Sequence, residues 1–234
     1  MSALTPLRRL LAGSAVATVA AGALLVGPAG TAPAVSEDTS RAASAETYSA
    51  SLRTAVRDLP VATEVRTGYS RDLFRHWVDA DGDGCDARRE VLIAEAEERP
   101  TVGSGCSLTG GRWFSYYDGV SRYSASDISV DHMVPLAEAW DSGARSWDSS
   151  TRQAFANDLG DYRSLVGVTV SSNSSKSDSD PADWQPGREQ CRYVFEYTAV
   201  KIRWRLSVDS AERSALISRA DSCSDRTLTV TRAR

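Results

Sequence analysis

Histidine and lysine are almost missing from this chain, with two of each among 234 residues. Two histidines, His76 and His132, cannot build a three-histidine metal site, so any imidazole chemistry rests on one of them. Scarce lysine leaves arginine to carry nearly all the positive charge. With 27 basic against 31 acidic residues, the net charge is −4. That balance excludes a histone-like protein held to nucleic acid by bulk positive charge. Four cysteines occur without a C-x-x-C pair, which argues against a zinc site built from all four. Hydrophobic residues make up 41 % of the chain, enough for a core, so disorder throughout is excluded.

The uncharged run from Leu10 to Val26 follows a basic Arg8-Arg9 pair and precedes Ala32-Pro33-Ala34. This order reads as a signal peptide over 1–34, cleaved near Ala34. The alternative is an uncleaved anchor, and the paired arginines followed by leucines resemble a twin-Arg export signal. Export places the protein outside the cell, free of the membrane, with no protein partner indicated. It also places Cys85, Cys106, Cys191 and Cys223 in an oxidising compartment, where an even number predicts two disulfides. Three connectivities are possible. The two local loops, Cys85–Cys106 and Cys191–Cys223, are expected.

Residues 35–45 are small and polar and read as a flexible leader, followed by a helix over 46–59 that Pro60 stops. Further on, the patterning predicts helices at 90–98, 151–159, 192–206 and 209–220, the last opened by an Asp209/Glu212 capping box. Strands are predicted at 112–117, 128–136 and 165–170. The chain reads as α+β with few strands and no internal repeat.

The chemistry-bearing types gather at 131–176. Asp131 and His132 sit on one strand, and Asn173 with Lys176 opens the helix after the next strand. Phosphodiester hydrolysis needs a water deprotonated near neutral pH, which suits an imidazole. It also needs a hard cation on oxygen ligands, which suits a carboxylate and an amide oxygen. Lys176 is placed to hold a flanking phosphate. One geometric condition applies: neighbours on a regular strand face opposite ways, so the strand must end or bulge at Asp131-His132 for both to serve one phosphate.

The stretch DHMVPLAEAWDSGARSW, RQAFANDL and SLVGVTVSSNSSKSDSDPADW resembles secreted actinobacterial His-Asn-His (HNH) endonucleases, which share a domain with the C-terminal half of the GmrSD restriction systems. The resemblance spans roughly 66–223, taking in GYSRDLFRHW, DGDGCDARREVL and CRYVFEYTAVKIRWRLSVDSAE, and leaves 35–65 as leader and helix and 224–234 as a tail. It implies a ββα-metal (His-Me finger) nuclease core elaborated with surrounding helices and two disulfides. It further implies His132 as general base and Asp131 and Asn173 as ligands of a divalent metal, Mg²⁺ or Mn²⁺, with Zn²⁺ or Ca²⁺ as alternatives. DNA is the implied substrate, with RNA as the alternative, at low sequence specificity. The chain departs from the pattern twice. Ser164 stands where the middle Asn is expected, with Asn157 either substituting or capping a turn. Ser174 follows Asn173 where relatives often have Arg.

Residues 79–90 match the twelve-residue EF-hand spacing, with Asp79, Asp81 and Asp83 at positions one, three and five. Cys85 would offer its carbonyl and Glu90 would be the bidentate twelfth ligand. The alternative is a solvated acidic turn pinned by a disulfide. His76 reads as a packed aromatic-cluster residue, and Arg88 and Arg89 as partners of nearby carboxylates. Lys201, Arg203 and Arg205 beside Trp204 read either as a nucleic-acid surface or as a solvated helix face. The acidity is uneven: residues 79–98 hold eight acids against two arginines. The expected function is therefore a secreted metal-dependent endonuclease. Its rival is an extracellular calcium-binding or wall-associated module that keeps the scaffold without the catalysis.

Overall fold

The computed structural model describes residues 46–233, so the expected signal peptide and the expected leader at 35–45 lie outside the described residues. The first described stretch departs from the predicted helix: β1 (Thr47–Ser51) precedes α1 (Leu52–Asp58). The cause is long-range. Every β1 residue pairs antiparallel with residues 227–231, and the Ser51 hydroxyl then caps α1 by accepting from the Thr54 amide. The acidic run leads into α2 (Ala87–Ala94), capped by Asp86, three residues earlier than predicted. A short ladder of β2 (Thr101–Val102) and β3 (Leu108–Thr109) carries Cys106 to Cys85. A hairpin of β4 (Trp113–Ser115) and β5 (Val120–Arg122) follows.

The strand predicted to reach Leu136 stops early. β6 (Ile128–His132) ends on the histidine, and Pro135 then begins α3 (Leu136–Asp141), with its fixed φ suited to a helix start. After α4 (Ser149–Ala156), capped by Asp148, β7 (Leu165–Thr169) pairs antiparallel with β6 and sets Asp131 opposite Val166. α5 (Val170–Lys176) leaves β7 directly, capped by the Thr169 hydroxyl accepting from the Ser172 amide. α6 (Gln190–Arg203) and α7 (Ser210–Ser222) complete the helices, the latter with Asp209 accepting from the Glu212 amide as the capping box requires. The stretch read as a tail forms β8 (Thr227–Thr231), the partner of β1, so the two ends of the described chain close on each other.

The main core joins α1, α3, α6 and α7 through Leu52, Val56, Leu136, Tyr193, Tyr197 and Leu216. A smaller cluster of Leu92, Trp113, Ile128, Val130 and Leu165 packs α2 against the β6–β7 pair. β7 is buried along its whole length, as its β-branched sequence suggests. Glu95 fixes the contact by accepting the Gly167 amide at 2.5 Å. A Cβ at residue 167 would meet that carboxylate at 2.6 Å, so glycine alone permits the approach. Burial pushes Glu95 up to about 7.

Both expected disulfides are present. Cys85–Cys106 clamps the acidic loop, and Cys191–Cys223 ties the start of α6 to the end of α7 across 32 residues. Closing a loop of that length restricts the unfolded chain enough to stabilise the fold by about 3–4 kcal/mol. A Cys191→Ser/Cys223→Ser variant should lose about that amount in urea unfolding, with a somewhat larger m-value because its unfolded chain is less compact. Reduction of the wild type should add the cost of the second bridge.

Candidate functional site

The pair β6–β7 with α5 behind it builds one wall of a cleft of about 420 Å³, lined by Asp131, His132, Asn173, Ser174, Arg71 and Asp178 among others. Asp131 and His132 both line this cleft, at the end of β6 where the ladder with β7 runs regularly through the two residues. The sequence brings Asn173 there as well: three residues into α5, its amide donates to the Ser129 hydroxyl at 2.9 Å and so orients toward β6.

Asp131 is buried and heavily partnered. The Lys176 ammonium reaches its two oxygens at 2.9 and 2.7 Å and also donates to the His132 carbonyl at 2.8 Å. The Tyr117 hydroxyl donates to the same carboxylate at 2.7 Å. Burial pushes the Tyr117 pKa far up, with the Asp131 charge adding to it, so the phenol stays protonated as a donor. Burial also lowers Lys176, against the pull of Asp131. Lys176 is fully buried, so it does not present its charge to a flanking phosphate as expected from the sequence. It holds the strand to the helix instead.

His132 is buried, and its Nε2 lies 2.9 Å from the Ala156 carbonyl at the end of α4. A carbonyl only accepts, so the ring donates there and keeps its proton on Nε2, leaving Nδ1 as the basic nitrogen. The Trp77 indole stacks on the ring at 5.2 Å between centroids, and His76 meets it edge-on at 6.2 Å. Burial lowers the His132 pKa to about 3, the Ala156 bond opposing and Arg71, His76 and Lys176 adding to the shift.

Asn157 does not touch the imidazole; it builds its surroundings. Its side chain accepts from the Val78 amide at 2.8 Å and donates to the Arg75 and Gln153 carbonyls, both at 2.8 Å. These bonds hold Trp77 with φ at 58°, a left-handed conformation costly for a bulky residue. Ser164 turns away from the cleft and donates to Asp158 at 2.7 Å. Asp158 also accepts from Arg203 and the Trp204 indole. Arg203 and Lys201 are thus buried on carboxylates, Lys201 on Glu138 and Glu212, and offer no surface to nucleic acid. Neither half of the sequence reading fits these two, since they line no solvated face either. Arg205 is half-exposed and pairs with Glu46.

The acidic loop gathers its side chains in two groups rather than one. Carboxylate oxygens of Asp79, Asp81 and Asp83 lie within 4.8 Å of one another, and Glu90, on the exit helix α2, groups with Asp83 and the Cys85 sulfur. Asp79 accepts from the Gly82 and Gly84 amides, turning the loop around its first carboxylate. Arg89 pairs with Asp86, while Arg88 donates instead to the Ala125 and Ile128 carbonyls.

Sequence reasoning missed Tyr117, Trp77 and Arg71. Tyr117 sits in a run that reads only as a strand, and its pairing with Asp131 depends on tertiary contact. Trp77 looks like core. Arg71 is one arginine among many.

With a strand pair, a following helix, and Asp131, His132 and Asn173 along one cleft, the chain can be compared with known families. Residues 88–219 match the family described as GmrSD restriction endonucleases, C-terminal domain, and the chain belongs to that family. It is also 45 % identical over 158 residues to an uncharacterized secreted protein of Arthroderma benhamiae, covering 67 % of this chain and 76 % of that one. No solved structure matches.

With the folded-state pKa depressed, His132 is neutral from alkaline pH down through the ordinary imidazole range. Two-dimensional NMR should show no titration of the His132 imidazole between pH 8 and 5. Unfolding in urea should restore a midpoint near 6.5.

Proposed function

We propose that this chain is a secreted, metal-dependent endonuclease that hydrolyses phosphodiester bonds, DNA most readily, with little sequence specificity. The observation that carries the reading is the convergence of Asp131, His132 and Asn173 on one cleft at the end of a strand. Family membership and the secreted relative support it, as does the signal-like N-terminus. In this reading the three elements form a ββα-metal core.

His132 is the general base. The Ala156 carbonyl keeps its proton on Nε2, so Nδ1 receives the proton of the attacking water as the water oxygen bonds to phosphorus and the bond to the 3′ oxygen breaks. A pKa of about 3 describes the imidazole without substrate. An anionic phosphate beside it favours the imidazolium and raises basicity when the base is needed.

The residues present fit a hard divalent ion, Mg²⁺ or Mn²⁺. Asp131 Oδ1 accepts one bond, from Lys176, and retains a lone pair, while Asn173 donates through its nitrogen and leaves its oxygen for a cation. Bound there, the ion supplies positive charge to the phosphate in its five-coordinate transition state and to the departing oxygen. Lys176 shares Asp131 and thereby fixes the carboxylate in the buried wall. Arg71, on the cleft rim, is the cation placed to meet the phosphate.

Ser164 favours the rival reading, a scaffold without catalysis, because it bonds Asp158 and not the histidine. A plasmid-nicking assay decides. Nicking should require Mg²⁺ or Mn²⁺, stop with EDTA, and fall at least a thousandfold in His132→Ala at unchanged circular dichroism. A His132→Ala protein that still nicks, or a wild type inert with every divalent ion, sinks the reading.

Ca²⁺ is assigned to the loop at 79–90 as a structural ion distinct from the catalytic one. Lone extracellular loops bind in the 10⁻⁴ to 10⁻³ M range. At several millimolar Ca²⁺ the melting temperature should therefore rise by a few degrees. Asp79→Asn/Asp81→Asn should remove that part of the rise.

A further inference from the structure

Behind the cleft, segments distant in sequence bring six carboxylates together. Glu64 comes from the loop after α1, Glu138 and Asp141 from α3, Asp180 from the loop after α5, and Asp209 and Glu212 from the start of α7. The backbone holds them there. Val61 bridges Val208, the Ala62 amide donates to the Val208 carbonyl, and the Ser207 amide donates to Ser142 at the end of α3. One oxygen from each of Glu64, Asp180, Asp209 and Glu212 lies within 4.8 Å of the other three, and Glu64, Glu138 and Asp141 form a second such group.

Two cations reach this cluster. Lys201, fully buried, pairs with Glu138 and Glu212, and Arg66 pairs with Asp141 while sharing itself with Asp178. Glu64, Asp180 and Asp209 have no cationic partner among the described residues. Acidic residues alone do not make a site, but buried oxygens without donors surround this one. Asp141 is 3 % exposed, and its Oδ1 is buried without a hydrogen-bond partner in the group it shares with Glu64 and Glu138. Glu64 Oε1 is likewise buried and unpaired. The Tyr193 hydroxyl, fully buried and unpaired, lies within electrostatic reach of Glu212, Asp180 and Glu138. Burial first, and then these neighbouring carboxylates, push Glu64 up to about 7. Such crowding of like charge is stable only when a cation or shared protons neutralise it.

We infer that Glu64, Asp180, Asp209 and Glu212 form a third cation site, separate from the cleft and from the acidic loop, that takes Ca²⁺. The donor set is entirely carboxylate, which selects a hard cation. Four protein carboxylates suit Ca²⁺, which takes six to eight oxygens in flexible geometry, better than Mg²⁺, which keeps several waters and binds one or two carboxylates. The ion ties the 177–184 loop, which leaves the helix bearing Asn173 and Lys176, to the start of α7. It thus braces the cleft wall from behind, whether or not that cleft is a nuclease site.

The test reads binding and not activity. In the full chain carrying Asp79→Asn/Asp81→Asn to silence the acidic loop, Ca²⁺ calorimetry should find one equivalent. Tb³⁺ should show emission sensitised through Tyr193, Tyr197 or Trp184. Adding Glu64→Gln or Asp180→Asn should weaken Ca²⁺ at least tenfold and quench the emission, while adding Asn173→Ala should leave both unchanged. Glu64 is half-buried, so its amide variant keeps a folded protein for the comparison. The inference is overturned if the loop-silenced chain binds no ion, or if Asn173→Ala abolishes binding. It is also overturned if Glu64→Gln raises the melting temperature equally in EDTA and in Ca²⁺, since the cluster would then be neutralised by shared protons.

Discussion

The buried contact between Lys176 and Asp131 sets the geometry on which the candidate site depends. A carboxylate and an ammonium taken out of water lose far more solvation than one ion pair returns, unless further hydrogen bonds complete the shells. Here Tyr117 completes the carboxylate and the His132 carbonyl completes the ammonium. Removing either charge would leave the other buried and alone, so the pair commits α5 to one position against the end of β6. That commitment carries Asn173 to the cleft and fixes the backbone of His132. The pair adds little net stability; its value is in specifying one arrangement of strand and helix.

The imidazole is positioned from the other side. Ala156, its hydrogen-bond acceptor, is the last residue of α4, and Asn157, the next residue, clamps the segment that stacks Trp77 on the ring. The strained backbone of Trp77 is held because Asn157 grips both of its flanks, at Arg75 and at Val78. Thus the histidine is fixed by α4 and the lysine pair by α5, and the cleft lies where the two supports meet. Within the family pattern an asparagine is expected beside the histidine. In this chain Asn157 reaches it through a neighbouring carbonyl and an indole, and Ser164 belongs to the Asp158 network.

Local signals were legible wherever one segment decided its own structure. The Asp209/Glu212 capping box, the β-branched run at 165–169 and both local disulfides follow from short stretches of sequence. The order of Asp131, His132, Asn173 and Lys176 was legible too, because strand, strand and helix follow in chain order. What could not be read depends on partners far away. Residues 47–51 look helical by spacing, but they pair with 227–231 and become a strand. Lys201 and Arg203 look like a basic helix face until Glu138, Glu212 and Asp158 arrive from other elements to bury them. A charge in sequence carries no sign of whether its counterion is water or a carboxylate.

That last point reshapes how this protein would meet a phosphate backbone. Both lysines and Arg203 are interior, and so are Asp131, Glu138, Asp158 and Glu212 that pair with them, so burial removes cations from the surface without making it more acidic. Nonspecific adhesion along a duplex needs many exposed cations, each releasing a counterion. On the nuclease reading, attraction is concentrated in the few arginines around the cleft, Arg71 foremost, and any divalent ion within it. Cations at 79–90 and behind the cleft would also quench the two strongest negative clusters without adding a positive patch. Such a protein engages phosphate at the site of chemistry and little elsewhere, which suits hydrolysis followed by release.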